Sequence, residues 1–160
     1  MAILTTAGRT VMAMAIANET LHLAWGSGDS DWDETPEPES IEATALVAEV
    51  GRRYRTSVGY CTPNEAGDII VPNGRFALSV SPTNHLYLKF NFDFQDAPSA
   101  EIREIGVMVG TVAVEGTPPG QYYLEPADLA DPGRLLALER IPKIIRSVAV
   151  RHSFEFVLTI

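Results

Sequence analysis

Two long segments of the chain alternate apolar and polar residues with a period of two, and this pattern constrains the fold more than any other feature. In residues 86–94, leucines and phenylalanines occupy every even position, and in residues 148–160 the even positions are again almost all apolar. Successive side chains of a β-strand point to opposite faces, so each segment predicts a strand with one apolar face. We expect the two strands to share one β core that buries Leu88, Phe90, Phe92, Phe154, Phe156 and Leu158.

Shorter strands and tight turns are predicted in much of the remaining sequence. Pro72-Asn73-Gly74 is a turn signal between predicted strands at 68–71 and 75–80. Asp131-Pro132-Gly133 is another, before a predicted strand at 135–140. These segments predict that turns, rather than regular helices, connect most of the strands.

A short helix is predicted near the N-terminus. Residues 7–17 are rich in alanine and methionine, and Thr6 is positioned to cap them. Because short strands separated by turns disfavour a parallel doubly wound sheet, the predicted fold class is mostly β. We expect an antiparallel sandwich or a barrel-like sheet with a short N-terminal helix.

Length and composition predict a single domain over residues 1–160. The chain has the usual size of one domain, and neither an internal repeat nor a long linker divides it. The stretch 26–40 differs from the rest, because it carries six acidic residues and two prolines. It predicts an exposed acidic loop.

The charge balance limits the classes of partner. The formal net charge is -9, from 12 basic and 21 acidic residues. This balance argues against nucleic acid and against an anionic membrane surface, since both require a cationic face. Cys61 is the single cysteine, so an intrachain disulfide is excluded and folding in the cytoplasm is the simplest interpretation. We expect Cys61 to be a half-buried structural thiol.

The acidic loop begins like a calcium-binding loop but does not continue as one. Asp29, Asp31 and Asp33 stand at alternate positions, as in an EF-hand. Glu34 then replaces the glycine of the sharp turn, and Ser40 replaces the bidentate glutamate. The sequence therefore predicts a solvated acidic loop, and leaves open an adventitious cation there.

The sequence contains no recognisable catalytic, cofactor-binding or metal-binding signature. Glu101 and Glu104 are close in sequence, but Arg103 between them indicates ordinary charge compensation. None of the three histidines, His22, His85 and His152, has a second ligand at metal-site spacing. We therefore expect a protein that is not an enzyme and that has no cofactor.

Two other classes of function remain open. A carbohydrate-binding module would use aromatic stacking platforms, for which the sequence offers Trp25, Trp32, Tyr122 and Tyr123. A small hydrolase would use an acidic pair facing across a cleft. The basic cluster Arg52, Arg53 and Arg55 is interpreted as ion-pairing residues and possible subunit contacts, because the chain as a whole is acidic.

The order of these features resembles a family of phage proteins. A strand ending in Trp25-Gly26-Ser27-Gly28 precedes the acidic loop, and residues 44–53 lead to the basic pair. Ile102-Arg103-Glu104-Ile105-Gly106-Val107 then follows the aromatic strand and is the sharpest part of the match. The pattern is similar to the N-terminal, baseplate-attaching domains of bacteriophage tail-fibre proteins and to related small tail or baseplate proteins.

The resemblance implies a structural component of the virion tail, made in the host cytoplasm. Its partners would be other phage tail, baseplate or fibre proteins, and by analogy with fibres it would form a homo-oligomer, either a trimer or a ring. Members of the group continue into a long fibre. Because this sequence ends at Ile160, we expect a short adaptor or baseplate subunit that joins a fibre or an adjoining ring to the tail.

Overall fold

The computed structural model describes residues 1–160, and most of the chain folds as short antiparallel strands. The helix α1 spans Thr6–Ala17, and 3₁₀ turns occupy Ser30–Asp33 and Pro126–Asp128. The strands are β1 (Leu21–Gly26), β2 (Glu49–Tyr54), β3 (Ser57–Pro63), β4 (Ile69–Val71), β5 (Gly74–Ser79), β6 (His85–Phe92), β7 (Glu101–Val109), β8 (Val112–Ala113), β9 (Tyr123–Leu124), β10 (Leu129–Asp131), β11 (Arg134–Ile145) and β12 (His152–Thr159). The predicted fold class, mostly antiparallel β with a short N-terminal helix, is confirmed.

The strands form two five-stranded sheets and one two-stranded sheet. The first sheet has the order β11-β7-β1-β2-β9 and the second has the order β12-β6-β3-β5-β4, while β10 pairs with β8. The chain divides into two compact units. Unit 1 comprises Met1–Glu19, Arg55–Phe90 and Ser153–Ile160, and unit 2 comprises Thr20–Tyr54 and Asn91–His152. The single domain over residues 1–160 stays a prediction.

Strands β1 and β7 form the interior of unit 2. All six residues of β1 are buried, and in β7 every residue from Ile102 to Met108 is buried. Both strands are therefore covered on both faces, although β7 includes the charged residues Arg103 and Glu104. The Ile102–Val107 segment that carries the family resemblance is therefore a central strand of the unit 2 sheet.

Unit 1 is organised around β6. Its residues alternate strictly between half-buried and buried positions, and Leu88 and Phe90 are fully buried, as is Phe92 at the end of the strand in unit 2. The predicted burial is confirmed for these three residues. A further apolar cluster of unit 1 consists of Cys61, Ile69, Val71, Phe76 and Val157.

The prediction for the last strand is wrong in part. Phe154, Phe156 and Leu158 are only half-buried, whereas Val157, on the opposite face of β12, is buried. Strand β12 lies at the edge of its sheet, so it has a neighbouring strand on one side only. Phe156 still makes an edge-to-face contact with Phe90, with 6.2 Å between ring centroids.

Two boundaries differ from the predicted ones. Thr5, rather than Thr6, caps α1, because its Oγ1 accepts a hydrogen bond from the Gly8 N–H at 3.1 Å. Strand β11 continues past Arg140 to Ile145, and its register shifts between Arg140 and Ile144. Pro142 lies in that irregularity, where the missing N–H breaks no ladder hydrogen bond.

None of the helices is long and apolar enough to cross a membrane.

His22 makes the stability of unit 2 depend on pH. It is 5% exposed in β1, and its Nδ1 has no hydrogen-bond partner. Burial, and secondarily the charge of Arg52, lowers the pKa of His22 from 6.5 to about 4. Between these two values the unfolded chain binds a proton at this position and the folded chain does not, so the free energy of unfolding falls as the pH falls.

We expect acidification from pH 7 to about pH 4 to remove roughly 3 kcal/mol of stability through His22, since each pKa unit corresponds to about 1.4 kcal/mol. Urea unfolding of the wild type and of His22→Gln at both pH values measures this difference. The substituted chain should lose less stability on acidification, whatever its stability at pH 7. An equal loss in both proteins would contradict the assignment.

Candidate functional site

The acidic segment, residues 29–40, folds back onto the sheet of unit 2. Its residues are exposed except Trp32, which is half-buried. The segment opens with the 3₁₀ turn, where Asp29 Oδ1 accepts a hydrogen bond from the Asp31 N–H at 2.9 Å. Gly28 precedes the turn with a φ of 57°, and a Cβ there would overlap the Trp32 indole. Glycine at this position therefore lets the ring pack against the backbone.

Asp33 fixes the segment to strands β7 and β11. Its two carboxylate oxygens accept hydrogen bonds from Arg103 Nε at 2.7 Å and Nη2 at 2.9 Å, and Lys143 Nζ donates to one of them at 2.7 Å. These hydrogen bonds, first from Arg103 and then from Lys143, hold the pKa of Asp33 well below its usual range. The carboxylate is therefore a permanent anion and a poor general base at neutral pH.

The strand geometry explains why only one of the two predicted carboxylates compensates Arg103. Arg103 Nη2 donates to Glu101 Oε2 at 2.6 Å, and both residues lie on the same face of β7. Glu104 points to the opposite face, is fully buried, and accepts a hydrogen bond from the Ala48 N–H at 2.9 Å. The predicted charge compensation thus holds for Glu101, while Glu104 has a different environment.

Arg140 holds the other end of the acidic segment and also contacts Trp32. The Arg140 guanidinium lies 4.1 Å from the centre of the Trp32 ring, within cation–π range. Arg140 also donates to the Pro38 carbonyl at 3.0 Å, and its backbone N–H donates to Glu39 Oε1 at 2.9 Å. Strand β11 is an edge strand, so the segment covers part of an edge that would otherwise be open to pairing.

A cavity of about 470 Å³ lies between the acidic segment and these strands. It is lined by Trp32, Asp33, Pro36, Glu37, Arg103, Arg140, Ile141, Pro142 and Lys143. The lining combines an indole, two prolines and an isoleucine with fixed charges, and Arg140 Nε is buried without a hydrogen-bond partner. Such a surface is suited to receiving an apolar side chain together with a hydrogen-bond acceptor.

Each predicted subunit-contact arginine has partners within the chain. Arg52 is buried, forms a two-point ion pair with Glu49 at 2.8 Å, and donates to Thr111 Oγ1 at 2.6 Å. In unit 2, Arg53 donates to Asp96 at 2.6 Å. In unit 1, Arg55 donates to the carbonyl of Ala17 at 2.6 Å. Arg53 and Arg55 are half-buried, and a role of the three as subunit contacts stays a prediction.

The family to which this chain belongs follows from comparison with known protein families. A family model described as "Baseplate wedge 3 tail fiber network component" matches residues 1–160. The chain belongs to this family. The resemblance to phage baseplate and tail-fibre proteins is thereby confirmed. No curated protein matches the chain.

As a baseplate wedge 3 tail fiber network component, the chain is a structural part of a phage baseplate and its tail-fibre network. A baseplate component belongs to the tail of the virion, and its partners are other baseplate or tail-fibre proteins. Membership of a structural family favours a non-enzymatic role. No group of three or more histidine, cysteine or acidic side chains is arranged to hold a metal ion.

The aromatic residues considered for carbohydrate binding differ in their exposure in this baseplate component. Trp25 is fully buried, stacks on Phe92 at 3.6 Å between ring centroids, and donates to the Tyr123 hydroxyl at 3.1 Å. Burial raises the pKa of Tyr123 to about 12. Tyr122 is exposed, whereas one face of Trp32 is covered by Arg140. The four residues therefore do not form one exposed platform.

One structurally central residue carried no sequence signal. Arg146 is 2% exposed and donates to the carbonyls of Asp93 at 2.7 Å, Asp96 at 3.1 Å and Val150 at 2.8 Å. Its guanidinium also lies 4.9 Å from the centre of the Trp25 ring. The sequence around it contains no motif, because three of its partners are backbone carbonyls, which any residue supplies. Arg146 Nη1 also lies 2.6 Å from His152 Nδ1.

Proposed function

We propose that this baseplate wedge 3 tail fiber network component attaches a fibre or an adjoining ring to the phage tail. The observation that supports the attachment role most directly is the cavity of about 470 Å³ beside the acidic segment. Its walls come from β7, β11 and the segment that Asp33 and Arg140 hold in place. The cavity is thus framed by two paired strands and by a loop that ion pairs and hydrogen bonds hold against them, as a fixed joint requires.

The chemistry of the cavity specifies the partner surface. Tryptophan and arginine are the residues that most often dominate binding energy at protein interfaces, and here Trp32 and Arg140 stand together. Arg140 Nε is a buried donor without an acceptor, which costs about 1–3 kcal/mol until a partner supplies one. The proposed partner segment therefore presents an apolar side chain next to a carbonyl or carboxylate oxygen.

Self-association belongs to the same proposal. A trimer is the first expectation by analogy with fibres, and a ring is the second, since fixed structural contacts usually repeat with rotational symmetry. Arg52, Arg53 and Arg55 remain the proposed subunit contacts. A carboxylate of a neighbouring subunit would have to compete with the acceptors that each arginine already has within the chain.

If the cavity is the site of attachment, removal of the Trp32 indole should give particles with fewer attached fibres or adjoining rings. A phage lacking this gene is complemented with the wild type, with Trp32→Ala or with Tyr122→Ala, an exposed aromatic outside the cavity. Mass spectrometry detects the chain in purified particles, and reconstruction counts attached fibres or adjoining rings. We expect Trp32→Ala to reduce attachment at least ten-fold, because hot-spot truncation costs about 2 kcal/mol or more.

Tyr122→Ala should leave attachment unchanged. Equal defects in both variants would argue against the cavity as the joint. If the wild-type chain is absent from mature particles and instead hydrolyses a substrate in infected-cell lysate, the attachment proposal fails and the hydrolase alternative replaces it.

A further inference from the structure

Helix α1 of unit 1 has two apolar stripes, and only one of them is buried. The inner stripe contains Ala13 and Ala17, which are both buried. The outer stripe contains Ala7, Val11 and Met14, whose spacing of four and three residues aligns them on one side of the helix. All three are exposed, and Val11 leaves 64% of its surface open to solvent.

The segment before the helix extends the outer apolar surface. Met1, Ile3 and Leu4 are exposed, at 119%, 84% and 52% of their reference areas. Leu4 lies against the first turn, since a Cβ on Gly8 would stand 3.0 Å from Leu4 Cδ1. A surface helix of a globular protein normally carries charged and polar residues on its outer face, yet the single charged residue of α1 is Arg9. Contiguous exposed apolar surface of this kind marks an interaction site.

The distribution of charge indicates which partner can cover this surface. Unit 1 has four basic and four acidic residues, so its net charge is zero. Its charged residues are Arg9, Arg55, Arg75, Lys89, Glu19, Glu65, Asp68 and Glu155. Unit 2 has eight basic and seventeen acidic residues and therefore carries the whole net charge of -9. Unit 1 itself therefore adds no net charge that would oppose a contact between two copies through α1, whereas the charge of unit 2 opposes a contact through unit 2.

We infer that the outer stripe of α1, comprising Ala7, Val11 and Met14 with Leu4 beside it, packs against the same stripe of a second copy of this chain. The four-and-three spacing is that of the seam between two packed helices. A two-fold axis at this seam would bring each Val11 close to its counterpart, because such an interface joins identical surfaces. The inference rests on the self-association within the proposed function. It gives that self-association a two-fold contact, which by itself forms a dimer and not the trimer or ring expected by analogy with fibres.

The first test places a negative charge on the outer stripe, so that two copies in contact through α1 would bring two like charges together. Val11→Glu is compared with Val148→Glu, a valine of unit 2 that is 59% exposed in a turn. Sedimentation velocity of the purified full chain measures self-association over a range of concentrations. We expect the wild type and Val148→Glu to associate with the same dissociation constant, and Val11→Glu to associate at least ten-fold more weakly. Circular dichroism of both variants verifies that the fold is retained.

The second test detects the contact directly and is independent of stability. Cys61 is fully buried, and burial raises the pKa of its thiol to about 11, so it is a poor target for thiol reagents at neutral pH. Val11→Cys therefore introduces one reactive thiol on the stripe, and Val148→Cys introduces one in unit 2. With a short bis-maleimide, Val11→Cys should give a covalent dimer in high yield, and Val148→Cys should give no covalent dimer.

The outcomes separate this inference from the attachment role. A monomeric wild type, equal weakening by both glutamate substitutions, or failure of Val11→Cys to cross-link would overturn the α1 contact. The wild type could instead be monomeric and still enter particles, while the Val11→Glu variant does not enter them. That result would show that another tail protein covers α1. The attachment role would then stand. If the chain dimerises through α1 but is absent from mature particles, the α1 contact holds and the attachment role fails.

Discussion

Phe90→Ala should lower the free energy of unfolding by about 3–5 kcal/mol, the usual cost of removing a buried phenylalanine. Phe90 is fully buried in β6, which lies between β12 and β3 in its sheet. The substitution removes the ring from the core and leaves a cavity that the flanking strands can only partly close. Urea denaturation monitored by circular dichroism measures the change.

Two phenylalanines provide matched comparisons for Phe90. Phe94→Ala, at a residue that is 36% exposed beyond the end of β6, should cost about 1 kcal/mol or less, mostly from its contact with Arg151. Phe156→Ala should fall between the two, because Phe156 is half-buried on the edge strand β12. Equal losses at Phe90 and Phe94 would contradict the placement of the core.

Arg146→Ala should lower the free energy of unfolding by about 3 kcal/mol or more, although the side chain has no carboxylate partner in direct contact. The substitution removes the charged donor to the carbonyls of Asp93, Asp96 and Val150, and a hydrogen bond to a charged group contributes about 1.5–3 kcal/mol. Arg146 is itself buried, and burial lowers its pKa. The desolvation of the cation therefore offsets part of what its hydrogen bonds contribute, so the loss stays below their sum.

Arg146→Lys distinguishes the role of charge from that of geometry. An ammonium keeps the charge but cannot reach three separated carbonyls as the planar guanidinium does, so lysine should recover less than half of the loss. Arg134→Ala, at an exposed arginine at the start of β11, should change stability by less than about 0.5 kcal/mol. If urea unfolding gives the same stability for Arg146→Ala and Arg134→Ala, the predicted role of Arg146 as a bridge between loops is wrong.

The sequence contained most of the information about where strands form. Alternation over residues 86–94 predicted β6. Pro72-Asn73 predicted the turn between β4 and β5, at which Val71 pairs with Gly74. These features were readable because the side-chain period of a strand and the dihedral preferences of turn residues are local properties. The family was recognisable for a related reason. The residues that carry most of the resemblance, Ile102–Val107, are consecutive in the sequence and form part of one buried strand.

Depth of burial was less predictable than strand formation. The pattern of β12 is as regular as that of β6, yet Phe154 and Phe156 are half-buried while Leu88 and Phe90 are buried. Alternation indicates which face of a strand is apolar, but it does not tell whether the strand lies at the centre or at the edge of a sheet. The position of β12 at an edge follows from the pairing of all the strands.

The mostly antiparallel β class, the N-terminal helix and the resemblance to phage tail proteins could all be predicted from the order of residues alone. The three-dimensional fold was needed to find that Asp33 pairs with Arg103, seventy positions away, and that Trp25 is buried while Trp32 lines a cavity. It also decided that Arg146 bridges backbone carbonyls of separate loops. The physical reason is that secondary structure depends on neighbours along the chain, whereas the partner of a charge or a ring is set by which distant strands are brought together.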